Sequence, residues 1–218
     1  MKLFFLLAFY FSAMFSCFAM TCIKPSHKVA VMQVIYLHGM DTSLPSAQEL
    51  EIRKSLKNLS NELAVSFALP RAFEKCPESK SQFCWMWGAE KKEDIKLKRD
   101  KILKKAKSCF NKPLTSLWLG FSNGGNFVSQ IFQECAEEGK YITFGASGGN
   151  VKDSKTSLKG CGQYKALIGK KDKWNYAHAT KFYAKLKSRN GHIDVLEFNG
   201  GHEVNIDLLR EVLKGYIK

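Results

Sequence analysis

One nine-residue segment constrains the fold of this chain more than any other. Residues 117–125 have the sequence LWLGFSNGG, in which an apolar, β-rich run leads into the pattern G-x-S-x-G-G. Helix-like sequence follows. A serine between a buried strand and a helix lies on a sharp turn that raises its hydroxyl above the sheet, and flanking glycines allow close backbone packing because they lack a Cβ. The segment therefore predicts a strand, a tight turn at Ser122 and a helix.

The rest of the chain alternates short apolar runs with amphipathic segments. The predicted strands are 31–37, 64–69, 115–119, 141–144, 165–168 and 193–198, and the predicted helices are 47–63, 90–109, 126–138, 177–188 and 203–217. Ser46 is a predicted N-cap. This alternation predicts an α/β fold with about six mostly parallel strands and helices on both faces. We find no internal repeat or linker.

Four polar segments follow predicted strands. Residues 38–41 follow the first strand, Ser122 follows the third, Asp172 follows 165–168 and His202 follows the last. Functional groups in an open parallel sheet gather beyond the carboxyl ends of the strands. We therefore expect these segments to meet at one edge of the sheet.

The chemistry of these residue types is that of nucleophilic catalysis. A serine hydroxyl is a weak nucleophile, so an imidazole must accept its proton during attack, and a carboxylate on the other ring nitrogen orients that imidazole. Two N–H groups must also bind the developing oxyanion. The backbone N–H groups of Asn123 and Met40 are the predicted donors, and His38 is expected to be a structural hydrogen-bonding residue beneath the loop of Met40.

The same residues carry a family resemblance. The chain order of the serine, aspartate and histidine, with VIYLHG upstream and GFSNGG at the turn, resembles the α/β-hydrolase superfamily. The loop HGMDT at 38–42 is similar to the HGxGDT loop of the phospholipase/carboxylesterase branch, shortened by one residue. GFSNGG also resembles polyhydroxyalkanoate depolymerases and feruloyl esterases. The resemblance implies a minimal α/β-hydrolase fold with these roles: nucleophile Ser122, base His202, acid Asp172, and oxyanion donors Met40 and Asn123.

Other residues compete for the catalytic roles. Ser147 lies in a second G-x-S-x-G, but the sequence after it lacks the apolar helix that such a turn requires. Asp194 lies within a predicted strand, and Asp153 follows a different one. His178 lies on a predicted helix, and His192 precedes the last strand, at the opposite edge of the sheet. These positions favour Ser122, Asp172 and His202 as the catalytic residues.

The substrate is less strongly indicated. The cysteine-containing segment 71–88 is aromatic, and Trp85 and Trp87 would lie on one side of it if it were extended. With Trp174 they are predicted to bind substrate, the alternative being ordinary packing on the sheet. We expect a secreted serine hydrolase that cleaves a small-molecule or polymeric carboxylic ester. A thioesterase, a peptidase and a non-catalytic binding protein are the alternatives.

Scattered histidines and the lack of a C-x-x-C pair predict no metal and no cofactor.

The N-terminus predicts export. Lys2 precedes the apolar run 3–15, and small residues at Cys17 and Ala19 suit cleavage after Ala19. The run is shorter than the roughly 18 residues that a membrane-spanning helix needs. We therefore predict a cleaved signal peptide at 1–19 and a single domain at 20–218, secreted or periplasmic. An uncleaved anchor and lipidation at Cys17 are the alternatives.

The cysteines and the charge agree with export. Of seven cysteines, six remain after cleavage, an even number that is compatible with three disulfides. Fifteen pairings are open, and Cys76–Cys84 is the favoured local pair. The net charge is +14, or +13 without Lys2, and lysines concentrate at 90–107. They predict a solvated helix face or, alternatively, attraction to anionic envelope surfaces or acidic substrates. No nucleic acid is expected, because no recognition motif accompanies the charge.

Overall fold

The computed structural model describes residues 20–42, 44–110, 116–136, 138–152, 157–189 and 191–217. The predicted signal peptide at 1–19 and the alternative acid Asp153 lie outside these ranges. Within the ranges, no helix combines the length and the apolar character needed to cross a bilayer.

Strands and helices alternate along most of the described chain. The strands are β1 Thr21–Ile23, β2 Met32–Leu37, β3 Val65–Leu69, β4 Glu74–Cys76, β5 Ser79–Cys84, β6 Ser116–Phe121, β7 Gly139–Phe144, β8 Gly162–Gly169 and β9 His192–Phe198. The α-helices are α1 Ala47–Leu63, α2 Lys92–Ala106, α3 Asn123–Glu134, α4 Tyr176–Lys187 and α5 Ile206–Ile217, and a 3₁₀ turn, Lys107–Cys109, follows α2. Ser46 caps α1, because its Oγ accepts a hydrogen bond from the N–H of Glu49.

The central sheet has seven strands in the order β1-β3-β2-β6-β7-β8-β9. All neighbours are parallel except β1, which pairs antiparallel with β3. The predicted mostly parallel α/β architecture is therefore confirmed, with one strand more than the sequence suggests. A second difference is the hairpin β4-β5, which forms within the segment 71–88, where no strand is predicted. It stands apart from the sheet and is largely exposed, so its sequence lacks the apolar alternation of a core strand.

Two apolar cores lie on the two faces of the sheet. Alternate side chains of a strand point to opposite faces, so Ile35 packs toward α2, α3 and α4, whereas Val34 packs toward α1 and α5. The helices present apolar stripes to these faces, such as Ile52, Leu56 and Leu59 on α1. Each buried side chain of this size contributes roughly 1.5–3 kcal/mol. Burial on both faces fixes the strand register, and with it the positions of the loops beyond the strand ends.

Three disulfides join the six cysteines of the described chain. They are Cys22–Cys109, Cys76–Cys84 and Cys135–Cys161. The pair Cys76–Cys84 is the one favoured from sequence, and it closes the hairpin β4-β5. The other two link segments that are distant along the chain.

Candidate active site

Ser122 lies on the tight turn between β6 and α3. Its backbone has φ 53° and ψ −119°, a conformation that L-residues rarely adopt. Two glycines make room for this turn. A Cβ on Gly120 would lie 2.6 Å from the carbonyl oxygen of Gly124, and a Cβ on Gly124 would collide with the carbonyl of Leu37. The G-x-S-x-G pattern therefore serves to bring the turn down onto the end of β2.

Ser122, His202 and Asp172 form one chain of hydrogen bonds. The Ser122 hydroxyl lies 3.0 Å from Nε2 of His202, and Nδ1 of His202 lies 2.8 Å from Oδ2 of Asp172. The three residues follow the ends of β6, β9 and β8, so the sheet edge brings together groups separated by as many as 80 residues. An imidazole that donates from Nδ1 to a carboxylate has Nε2 free to accept the serine proton.

Asp172 is buried and strongly hydrogen-bonded. Its Oδ1 accepts hydrogen bonds from the backbone N–H groups of Trp174 and Asn175, and the Asn175 side-chain amide donates to both carboxylate oxygens. Burial alone would raise the pKa of Asp172. The hydrogen bonds from His202 and Asn175 outweigh burial and hold this pKa below its ordinary value. The carboxylate therefore remains ionised beside the imidazole.

Asn175 is a site residue that our sequence analysis missed. Its Nδ2 lies 2.9 Å from Nδ1 of His202 as well as within hydrogen-bonding distance of Asp172. Although Asn175 occupies the N-cap position of α4, its side chain makes no capping bond to the helix. The signal in the sequence is an aspartate followed three residues later by an asparagine, just before a helix.

Contacts from three directions hold His202 in place. Gln48 donates to its carbonyl oxygen at 3.2 Å, and the ring of Phe121 lies 5.0 Å from the imidazole. On a third side is Gly145, where a Cβ would lie 2.9 Å from the imidazole ring. The imidazole therefore keeps its orientation without being fully buried.

The two predicted oxyanion donors are the backbone N–H groups of Asn123 and Met40. Asn123 is the first residue of α3, so its N–H has no acceptor within the helix. Met40 lines the same pocket as Ser122. The imidazole of His38 bonds to the carbonyl oxygen of Gly39, which belongs to the same peptide unit as the N–H of Met40. Because C=O and N–H point in opposite directions across a trans peptide, this bond directs the Met40 N–H away from His38.

His38 is buried and neutral. Burial lowers the pKa of His38 from 6.5 to about 4, although its bond to Gly39 acts in the opposite direction. The N–H of Ala72 donates to its Nε2 at 3.1 Å, so the ring proton must lie on Nδ1, which faces Gly39. His38 is thus a structural hydrogen-bonding residue beneath the loop of Met40, as expected.

An open pocket of about 510 Å³ lies in front of Ser122. This volume is in the range of small-molecule sites. Its apolar lining comes from Met40, Met86, Trp87 and Trp174. Asn126 and Asn150 contribute polar groups. The pocket can therefore receive a substrate with an apolar portion and a few polar atoms.

Solved structures with the same architecture include known esterases. A carboxylesterase from Mesorhizobium loti aligns with a TM-score of 0.66 at 16% identity, covering 91% of this chain and 95% of that one. Acyl-protein thioesterase 2 of Zea mays gives 0.69 at 13% identity, covering 92% and 99%. The Bacillus cereus carboxylesterase gives 0.63 at 15% identity, covering 96% and 97%. The chain has the α/β-hydrolase fold. No protein-family model and no curated protein matches its sequence.

Within this hydrolase fold, two of the three predicted substrate-binding tryptophans line the pocket. Trp87 and Trp174 do so, but Trp85 does not. Trp85 is only 2% exposed, its indole N–H donates to the carbonyl of His38, and its backbone N–H donates to the side chain of Asn123. The prediction for Trp85 was wrong because β5 ends at Cys84, so the extended geometry that would align Trp85 with Trp87 does not continue.

Four of the competing residues lie within the described ranges, and none of these four lines the pocket. Ser147 belongs to the loop after β7, and its neighbour Gly148 lines the pocket. Asp194 lies within β9 and pairs with Lys165 at 2.7 Å. His178 is exposed on α4, and His192 begins β9 at the far edge of the sheet.

Proposed function

We propose that this chain is a secreted serine hydrolase that cleaves carboxylic esters through an acyl-enzyme at Ser122. The observation that supports the proposal most is the chain of hydrogen bonds from the Ser122 hydroxyl through His202 to the buried Asp172. The pocket in front of the serine gives a substrate access to it.

In the first half of the proposed reaction, Oγ of Ser122 attacks the ester carbonyl carbon while its proton moves to Nε2 of His202. The carbonyl electrons move onto oxygen, and the N–H groups of Asn123 and Met40 bind the resulting oxyanion. Losing one such donor costs roughly 3–4 kcal/mol of transition-state stabilisation. The intermediate then collapses, the C–O bond breaks, and the imidazolium gives its proton to the departing alcohol.

In the second half, a water molecule takes the place of the alcohol. His202 accepts a proton from the water as its oxygen attacks the acyl carbon. Collapse of the second intermediate returns the proton to Oγ of Ser122 and releases the carboxylic acid. Asp172, held ionised by Asn175 and backbone N–H groups, stabilises the imidazolium in both halves.

The predicted export agrees with the covalent structure. Disulfides form and persist in oxidising compartments. The three disulfides of this chain are therefore compatible with a secreted or periplasmic protein. Removal of 1–19 would leave β1 and all the later elements in the chain.

A fluorophosphonate probe tests the nucleophile. It should label the wild-type protein and fail to label Ser122→Ala, whereas the matched variant Ser147→Ala should retain labelling. Labelling that survives in Ser122→Ala would assign the nucleophile to another residue. No labelling of folded wild type would favour a binding protein. Matched p-nitrophenyl esters and thioesters of increasing acyl length would then identify the bond and the acyl group.

A further inference from the structure

The mouth of the Ser122 pocket carries large apolar side chains that face water. Trp174 is 84% exposed, Met40 47% and Trp87 43%, and all three line the pocket. We call these three side chains the apolar rim. Exposed apolar groups gathered at one place, in contrast to scattered ones, are characteristic of contact surfaces.

Cationic side chains accompany the rim. Lys170, Lys171 and Lys173 lie in the loop of Trp174, and all three are exposed. Lys170 has a partner, since its Nζ lies 3.4 Å from Glu197. Lys171 and Lys173 carry positive charge in the same short loop as Trp174. Tryptophan with flanking lysines suits the boundary of a lipid bilayer, where the ring enters the headgroup layer and the ammonium groups meet anionic lipids.

We infer that the apolar rim docks onto an anionic lipid surface, with Trp174 inserted and Lys171 and Lys173 against the headgroups. Docking in this way turns the pocket of Ser122 toward the membrane. The inference therefore also names the substrate class of the proposed esterase, an ester carried by an amphiphile at that surface, and this part rests on the proposed function. Binding itself requires no turnover.

The basic helix α2 is the rival surface, and its contacts make it a poorer one. Lys98 lies between Glu74 and Glu90, at 2.7 and 2.8 Å, and Arg99 pairs with Glu134. Leu97 is the large exposed apolar side chain on this helix. The helix thus offers partly compensated charge, whereas the rim combines charge with several apolar side chains.

Vesicle binding tests the inference independently of catalysis. The protein should start at Met20, to remove the apolar run 3–15, and carry Ser122→Ala, to prevent hydrolysis. It should sediment with phosphatidylglycerol vesicles at low salt and much less with phosphatidylcholine vesicles. Binding should weaken at 1 M salt, where the Debye length falls to about 3 Å. If the unmutated protein hydrolysed no ester, the proposed function would be disproved, but the vesicle-binding measurement would be unaffected.

Two sets of variants locate the surface. Neutralising a lysine near an anionic membrane weakens binding by roughly fivefold, so Lys171→Gln with Lys173→Gln should weaken it by roughly 25-fold. The matched control, Lys104→Gln with Lys107→Gln near the end of α2, removes the same charge and should have little effect. Trp174→Phe should remove the larger part of the blue shift in tryptophan emission on binding, because Trp174 is 84% exposed and Trp87 43%, whereas Trp85 and Trp118 are buried.

Three outcomes would overturn the inference. The first is no preference for anionic over zwitterionic vesicles. The second is a larger loss of vesicle binding in the control variant of Lys104 and Lys107 than in the variant of Lys171 and Lys173, which would assign binding to the basic helix. The third is adsorption to neutral polyester particles without binding to vesicles, which would indicate an insoluble polymer as the partner.

Discussion

His38 and His202 both follow strands at the carboxyl edge of the sheet, yet their surroundings are opposite. His38 follows β2, is 1% exposed and contacts backbone groups of Gly39 and Ala72. His202 lies beyond β9, reaches the pocket and contacts the side chains of Ser122 and Asp172. A position at the functional edge therefore does not assign a role. The role depends on the partners of the two ring nitrogens, because a general base needs one nitrogen that can accept the proton of the nucleophile.

The largest expected effect separates the two histidines. His202→Gln removes the proposed base and should lower kcat by roughly 10⁴-fold or more with hydrolysable p-nitrophenyl esters. His38→Gln should lower kcat by less than about 10³-fold, because it affects at most the orientation of one oxyanion donor. Circular dichroism would verify that both variants fold. An equal loss in the two variants would break the contrast between a base and a structural histidine.

The second prediction concerns stability and pH. The pKa of His38 is about 4 in the folded chain, against 6.5 for an unperturbed imidazole. At pH values between these, the unfolded chain binds more protons, so stability falls as the pH is lowered from 6.5 to 4. The difference corresponds to roughly 3 kcal/mol. Between pH 7 and 4, the wild type should therefore lose about 3 kcal/mol more of its unfolding free energy than His38→Gln.

Urea melts at several pH values would measure this difference. In His38→Gln, the amide oxygen can still accept from Ala72, but the side chain does not titrate. Parallel pH curves for the two proteins would show that His38 is not held neutral by the fold.

The third and smallest effect concerns Asn175. Asn175→Ala removes the amide that donates to both oxygens of Asp172, so the pKa of that carboxyl should rise. We expect a fall in kcat of about tenfold with KM little changed, equivalent to roughly 1.4 kcal/mol. Asn175→Ser, whose hydroxyl can donate, should restore part of the rate. Carbon-13 NMR titration of the carboxyl group would detect the pKa change. An unchanged pKa and rate would limit Asn175 to a packing role.

Much of this arrangement was predictable from the sequence, because it depends on local patterns. The apolar run before Ser122, the glycines around it and the alternation of strands with helices are visible in the chain. The positions of Asp172 and His202 follow from the rule that loops at one sheet edge converge. The distances between these side chains have no local signal, since they depend on the packing of β6, β8 and β9.

The features missed from sequence depend on contacts distant along the chain. β1 has three residues, too few for a periodic pattern, and it is fixed by pairing with β3 and by the bond from Cys22 to Cys109. The inward turn of Trp85 depends on the carbonyl of His38, 47 residues earlier. Asn175 gains its role from the approach of His202, 27 residues later.

The disulfide from Cys22 to Cys109 has a consequence for newly made protein. In a chain-entropy description, closing a loop of 87 residues stabilises the fold by about 4–5 kcal/mol. Before that bond forms, few interactions would keep the three-residue β1 in place. Fraying of β1 would leave the outer row of N–H and C=O groups on β3 open, a template onto which another copy can add. Formation of this disulfide thus keeps the edge of β3 covered. Protein that matures in a reducing compartment should therefore aggregate.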